Sequence, residues 1–103
     1  MQIAKRQPKE SLALSMVSIQ ELYEVHSTMD PQKEQYLLAT ISPLKILPYT
    51  YEVAKLAGEI ARDLIRPIEL ADAAVAATTI LSGGALLTIN TKDFADIPGL
   101  ELV

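Results

Sequence analysis

The 103-residue sequence contains no cysteine and no tryptophan, and it has only four tyrosines and one phenylalanine. Without cysteine the chain cannot form a disulfide scaffold, a thiolate metal site or a cysteine nucleophile. This composition is compatible with a reducing cytoplasm. Because aromatic residues are scarce, the core has to be built from Leu, Ile, Val and Ala. The length predicts a single domain over residues 1–103, in which residues 1–10 form a polar loop or a frayed helix end.

The net charge of −4 indicates that the chain does not coat nucleic acid through bulk positive charge. It still allows an enzyme that contacts RNA locally, because an acidic active site lowers the total charge. No apolar segment of the signal-peptide kind follows the N-terminus. Residues 73–89 carry no charge, but the segment is rich in alanine and falls short of the roughly 20 apolar residues of a membrane span. We therefore predict no membrane segment.

Strand and helix patterns alternate along the sequence. A buried strand is predicted over 12–17, and Ser18 with Glu21 forms a capping-box pattern that starts a helix to 27 or 28. The further helix predictions are 31–41 with Asp30 as N-cap, a long helix with Thr50 as N-cap for which Pro67 ends either the helix or the loop after it, and a helix from 69 or 70 to 81 that Gly83 stops. Strands are predicted over 44–47, 85–89 and 100–103, and a helical turn over 91–94. Such alternation predicts an α/β fold in which helices cover both faces of a mainly parallel sheet.

Asp72 is the most informative carboxylate, because it is the only ionisable residue between Leu70 and Ser82. Its neighbours are small or apolar, which predicts a helix buried nearly all round. A lone charge there is costly unless something pairs with it. The alternative is that Asp72 simply lies in the first turn, where the helix dipole stabilises an anion. Both interpretations stay open.

Glu21 and Asp93 also have two interpretations each. Glu21 is either the third helical residue of the capping box or a metal ligand. Asp93 is either an anion in the first turn of a short helix or, like Glu21, a metal ligand. Both follow buried strands, and Asp72 opens the helix that leads into the second of these strands. Residues that follow parallel strands collect at one edge of the sheet, which predicts that the three carboxylates converge.

Converging carboxylates repel one another, and a hard divalent cation such as Mg²⁺ or Mn²⁺ relieves that repulsion. An ion held in this way suits phosphodiester hydrolysis. Other chemistries have less support, because the sequence has no glycine-rich phosphate loop and no serine in a nucleophile elbow. The sole histidine, His26, has no partner nearby in sequence, so we predict that it is not catalytic.

Three segments resemble the VapC-type toxins of the PIN-domain family. SMVSIQELY at residues 15–23 is similar to their S-x-x-(S/T)-x-x-E-L-Y segment. PIELADAAVAAT at residues 67–78 is similar to their helix with an aspartate before I-A-A-T. LTINTKDF at residues 87–94, followed by IPGL at 97–100, is similar to their T-x-N-x-x-D-F…I-P-G-L ending.

The resemblance implies a three-layer α/β/α PIN-like fold and a metal-dependent endoribonuclease, the toxin half of a toxin–antitoxin pair. It implies Mg²⁺ or Mn²⁺ as cofactor, RNA as substrate, a cognate VapB-type antitoxin as partner, a homodimer and a cytoplasmic location. Glu21, Asp72 and Asp93 fall on the family's acidic positions, which bind metal and catalyse. Thr88 and Asn90 fall on the accompanying polar positions.

The front of the chain departs from this pattern. Family members usually begin with an apolar strand that ends in an aspartate, whereas no aspartate precedes Asp30 here. We therefore expect an N-terminally truncated PIN-like fold without the central strand, with reduced or lost activity. Unpaired strand edges would then favour self-association. The alternative functions are an inactive remnant that binds an antitoxin or itself, and an unrelated α/β regulatory module.

Overall fold

The computed structural model describes residues 2–4 and 12–103, except for the side chains of Ala4, Leu12, His26 and Ser27. The strands in this part of the chain are β1 (Gln2–Ala4), β2 (Leu12–Ser15), β3 (Lys45–Leu47) and β4 (Ala85–Leu87). The helices are α1 (Met16–Glu24), a 3-10 helix (His26–Met29), α2 (Pro31–Ile41), α3 (Tyr51–Asp63), α4 (Leu70–Ser82) and α5 (Thr91–Phe94). The predicted α/β class is confirmed. None of the helices within residues 2–4 and 12–103 has the length and apolar composition that a bilayer span requires.

The four strands form one sheet in the order β3-β2-β1-β4. β2 and β3 pair in parallel, while β1 pairs antiparallel with both of its neighbours. Since β2 and β4 both run opposite to β1, they run in the same direction as each other and as β3. Three of the four described strands therefore run in one direction, but two of the three pairings are antiparallel, so the sheet is mixed rather than mainly parallel as predicted, with one reversed strand at its centre.

β1 corrects two predictions for the N-terminus. Residues 2–4 form a strand rather than a polar loop or a helix end. This strand also lies in the centre of the sheet, where the sequence predicted that the central strand was missing. Ile3 pairs with Ala13 on one side and with Leu86 on the other, and its side chain is only 1% exposed. The physical reason is that β2 and β4 would otherwise face each other with unpaired backbone groups, which are costly when buried. Residues 1 and 5–10, the rest of that predicted segment, lie outside the described residues.

The first helix begins three residues earlier than predicted. The N-cap is Ser15, whose hydroxyl oxygen accepts a hydrogen bond of 3.1 Å from the backbone N–H of Ser18. The capping-box prediction for Ser18 and Glu21 is therefore wrong, and Glu21 lies in the middle of α1. The helix also ends earlier, at Glu24, and the carbonyl oxygen of Val25 accepts hydrogen bonds from Thr28.

The next two helix starts are confirmed. Asp30 caps α2 by accepting a hydrogen bond of 2.9 Å from the Gln32 backbone N–H. Thr50 caps α3 by accepting one of 3.2 Å from the Val53 backbone N–H. Both caps are local side-chain chemistry, which explains why they can be read from the sequence.

α4 is the central helix of the core. It packs against α3, against α1 and against β2 and β4. All seven residues at positions 73–79 are buried, which confirms the prediction of a helix buried nearly all round. On α3 the buried residues are Val53, Ala57 and Ile60.

The C-terminal end of α4 and the chain after it are only partly as predicted. Gly83 caps α4 in the left-handed conformation with a φ of 74°, as expected for a glycine stop. β4 ends at Leu87, two residues short of its predicted end, and Ile89 is 97% exposed. The predicted last strand over 100–103 is instead a single parallel bridge between Leu86 and Leu102.

Candidate active site

The three predicted carboxylates lie around one edge of the sheet. β2 and β4 run in the same direction, so their carboxyl ends share an edge. Glu21 lies in α1 directly after β2, and Asp93 lies in α5 after β4. Asp72 lies in the first turn of α4, which leads through a short turn into β4. This common edge is where parallel α/β sheets bind ligands.

Asp72 is half-buried, and no residue in the described ranges hydrogen-bonds its carboxylate. Burial raises the pKa of Asp72, and the charges of Asp93 and Glu69 raise it further. The nearby Arg66 guanidinium acts in the opposite direction and lowers it. The favourable dipole of the helix N-terminus is therefore opposed at Asp72, because burial and the neighbouring negative charges disfavour the ionised carboxylate.

Glu21 is also half-buried, and it too has no hydrogen-bond partner among the described residues. Burial raises its pKa first, followed by the charge of Asp72 and then that of Glu24. Because Ser15 rather than Ser18 caps α1, the capping explanation for Glu21 no longer applies. What remains is a carboxylate whose charge is disfavoured by its surroundings.

The turn before Asp93 is held by its own polar residues. The hydroxyl oxygen of Thr88 accepts a hydrogen bond of 3.0 Å from the Asn90 backbone N–H. The Asn90 carbonyl oxygen accepts one of 3.0 Å from the Asp93 backbone N–H. The Asp93 side chain is exposed in the first turn of the four-residue α5. Both sequence interpretations of Asp93, as a first-turn anion and as a ligand, remain compatible with this position.

Sequence reasoning missed three charged residues at this edge. Glu24 and Glu69 line a groove together with Glu21, beside the apolar side chains of Met16 and Leu70. The guanidinium of Arg66 forms a two-pronged ion pair with the Asp96 carboxylate, at 2.7 and 2.9 Å. No sequence pattern links residues 66 and 96, because they are 30 positions apart.

Comparison with known proteins gives the family. The family model of the PIN domain matches residues 2–100, which is nearly the whole chain. The chain belongs to the PIN-domain family. A search of curated proteins found no match.

Several solved structures are similar to this PIN domain. A VapBC2 complex from Rickettsia felis bound to a promoter DNA fragment has a TM-score of 0.77 and 26% identity, covering 88% of this chain and 72% of that one. A DNA-bound VapBC from Salmonella typhimurium has a TM-score of 0.77 and 24% identity, covering 86% and 71%. A toxin–antitoxin complex from Klebsiella pneumoniae has a TM-score of 0.71 and 28% identity, covering 85% and 70%.

PIN domains generally use divalent metal ions, and the side chains at this edge can be compared with the ligands that such ions prefer. The donors at the edge are carboxylate oxygens, the ligands that Mg²⁺ and Mn²⁺ prefer. The charge of Asp72 raises the pKa of Glu21, and the charges of Asp93 and Glu69 raise the pKa of Asp72; a cation would relieve this repulsion. As the side chains are placed, however, no three His, Cys, Asp or Glu residues within the described ranges surround one ion position. The donor chemistry therefore fits a hard cation, and the carboxylates have to move closer together to hold one.

β1 brings a different residue to this edge. Because β1 is reversed, its first residue pairs with Leu87, the last residue of β4. That first residue is Gln2, and it lines a groove together with Glu21. The centre of the sheet thus presents a neutral amide at this edge rather than a carboxylate.

The side chain of His26, which the sequence predicted not to be catalytic, lies outside the described residues.

Proposed function

We propose that this PIN domain is a metal-dependent endoribonuclease of the VapC toxin type. The observation that carries the proposal is the electrostatic coupling of Glu21, Asp72 and Asp93 at the carboxyl edge of the sheet. Each of the first two has a pKa raised by burial and by a neighbouring carboxylate. Groups with perturbed pKa values in a groove are typical of functional sites.

In this proposal Glu21, Asp72 and Asp93 hold a Mg²⁺ or Mn²⁺ ion through their carboxylate oxygens. When bound, such an ion lowers the pKa of an attacking water and stabilises charge on the phosphodiester. In the metal-free chain, burial and the charge of Asp72 raise the pKa of Glu21. A bound cation would offset this and keep Glu21 ionised, and an ionised carboxylate is able to accept a proton. Thr88 and Asn90 hold the turn that presents Asp93.

The same proposal extends to partners and setting. Two of the similar structures are VapBC complexes and a third is a toxin–antitoxin complex, which supports a VapB-type antitoxin as the partner of this chain. RNA is the substrate, the chain forms a homodimer, and it acts in the cytoplasm. Exposed apolar side chains are available for such contacts, among them Met29, Ile65, Leu70 and Ile89.

An RNA cleavage assay with Mg²⁺ or Mn²⁺ tests the proposal. We expect cleavage by the unsubstituted chain and a loss of at least about 100-fold in Glu21→Gln, the scale of a missing proton acceptor. Glu52→Gln is the matched control, because Glu52 is an exposed glutamate in the first turn of α3. Cleavage that persists in Glu21→Gln would place the chemistry elsewhere.

The second candidate is a PIN domain that binds an antitoxin or a second copy of itself and cleaves nothing. Two observations favour it: the described carboxylates do not yet surround one ion position, and β1 places Gln2 at the edge. In this case the unsubstituted chain cleaves no RNA with either metal, while it still binds a VapB-type antitoxin in a calorimetric titration.

A further inference from the structure

The Arg66 guanidinium connects two segments of the candidate site. Its Nε and Nη2 atoms donate to the two carboxylate oxygens of Asp96, at 2.9 and 2.7 Å. Nη2 also donates to the backbone carbonyl of Asp93, and Nη1 donates to the carbonyl of Pro67 at 3.3 Å. One side chain thus joins the segment before α4 to the turn that contains α5.

These bonds leave Arg66 little capacity for a substrate. A guanidinium has five N–H donors in a planar fork, and four of the possible bonds are made to the protein itself. Its side chain is 34% exposed, compared with 68% for the neighbouring Arg62. A phosphate-binding arginine needs a free pair of donors, so the geometry favours a structural role inside the site over direct contact with RNA.

The bridged segments are those that carry two of the proposed ligands. Asp72 follows Pro67 by five residues at the start of α4, and Asp93 is itself one of the bonded residues. The direct packing between α4 and α5 is limited compared with that between α4 and α3. The arginine fork is therefore the main polar connection described between the two ligand-bearing segments.

We propose that Arg66, held by Asp96, is a positioning residue that fixes the Asp93 backbone relative to the start of α4, so that rotation of the Asp93 and Asp72 side chains brings both carboxylates to one cation. This inference rests on the proposed metal site and deepens it. Arg66 acts through the Asp93 backbone rather than by touching the ion or RNA. Asp96 keeps the fork in place and balances its charge, so that the edge stays acidic enough to attract a cation.

Mn²⁺ titration by calorimetry on the full chain tests this role. Residues that orient metal ligands are typically worth about 10-fold to 100-fold in metal affinity. We expect Arg66→Met to weaken Mn²⁺ binding by at least about tenfold. Arg66→Lys keeps the charge but not the planar fork, so it should weaken binding as well. Asp96→Asn weakens it too, and adding Asp96→Asn to Arg66→Met causes little further loss because the two act as a unit.

Arg62→Met is the matched control. Arg62 forms the same two-pronged ion pair, with Asp63 at 2.7 and 2.8 Å, but both residues are neighbours at the end of α3 and bridge nothing. The Mn²⁺ affinity of Arg62→Met should equal that of the unsubstituted chain. Thermal melting of each variant confirms folding, and Asp96→Asn replaces Arg66→Met if the latter does not fold.

The outcomes separate this inference from the proposed function. Mn²⁺ affinity that is unchanged in Arg66→Met, or fully kept in Arg66→Lys, would overturn the positioning role while leaving the metal site intact. Additive losses in the double variant would also overturn it. If the unsubstituted chain binds no Mn²⁺, the proposed metal site itself fails and the positioning role fails with it.

Discussion

Replacing Ile3 with alanine tests whether β1 is the centre of the sheet. Ile3 is 1% exposed and belongs to the core cluster that includes Ala13 and Leu86, its partners on the two neighbouring strands. Removing a buried isoleucine side chain to alanine costs about 2–5 kcal/mol through lost burial and the cavity left behind. A domain of this length has on the order of 5–15 kcal/mol of stability in total. Ile3→Ala should therefore remove a large share of it.

Urea denaturation followed by circular dichroism measures the effect. Small domains have slopes of about 1–3 kcal/mol per molar urea, so a loss of about 3 kcal/mol lowers the midpoint by about 1–3 M. Ile3→Val keeps most of the side chain and should cost only about 1 kcal/mol. Ile89→Ala is the matched control, because Ile89 is 97% exposed and its loss should change stability by less than about 0.5 kcal/mol.

The comparison of the two alanine variants decides the matter. If Ile3→Ala costs no more than Ile89→Ala, the N-terminal residues do not fill the centre of the sheet. The expectation of an open sheet with unpaired strands would then return, along with its consequence of self-association through those edges.

Two further predictions concern the site's surroundings. Ser15→Ala should lower the free energy of unfolding by about 1 kcal/mol, measured by urea denaturation, because the α1 N-cap is lost; an unchanged value would contradict Ser15 as the cap. Because Glu21 and Asp72 have raised pKa values, the folded chain binds their protons more tightly than the unfolded chain. The free energy of unfolding should therefore fall as pH rises from the ordinary carboxyl pKa of about 4 through the raised values. Asp72→Asn should flatten this dependence and stabilise the metal-free chain at pH 7, whereas a slope of opposite sign would refute the repulsion.

Local chemistry explains which parts of the fold could be predicted. Asp30, Thr50 and Gly83 act on backbone groups within a few residues, so the helix boundaries that they set are visible in the sequence. The same principle failed at α1, because Ser15 and Ser18 are both plausible caps and the apolar residues after Ser15 extend the strand pattern into the helix.

The features that were missed depend on distant partners. β1 is only three residues long and includes a glutamine, and it exists because residues 12–13 and 85–87 pair with it on both sides. The ion pair between Arg66 and Asp96 spans 30 positions and has no local signal. In contrast, the placement of the three carboxylates at one edge depends only on strand ends and helix starts, so it could be predicted regardless of such details, while their role as a site stays a prediction.

The most direct test of the account is a calorimetric Mn²⁺ titration of the unsubstituted chain beside Asp72→Asn. Asp72 links the other two carboxylates. Its charge raises the pKa of Glu21, and the charge of Asp93 raises the pKa of Asp72. We predict a single binding site in the unsubstituted chain and an affinity at least about tenfold weaker in Asp72→Asn. Mn²⁺ at 100 times its dissociation constant should also raise the free energy of unfolding by about 2.7 kcal/mol. Absence of binding, or binding of equal affinity in both proteins, would contradict the proposal that these carboxylates form a metal site.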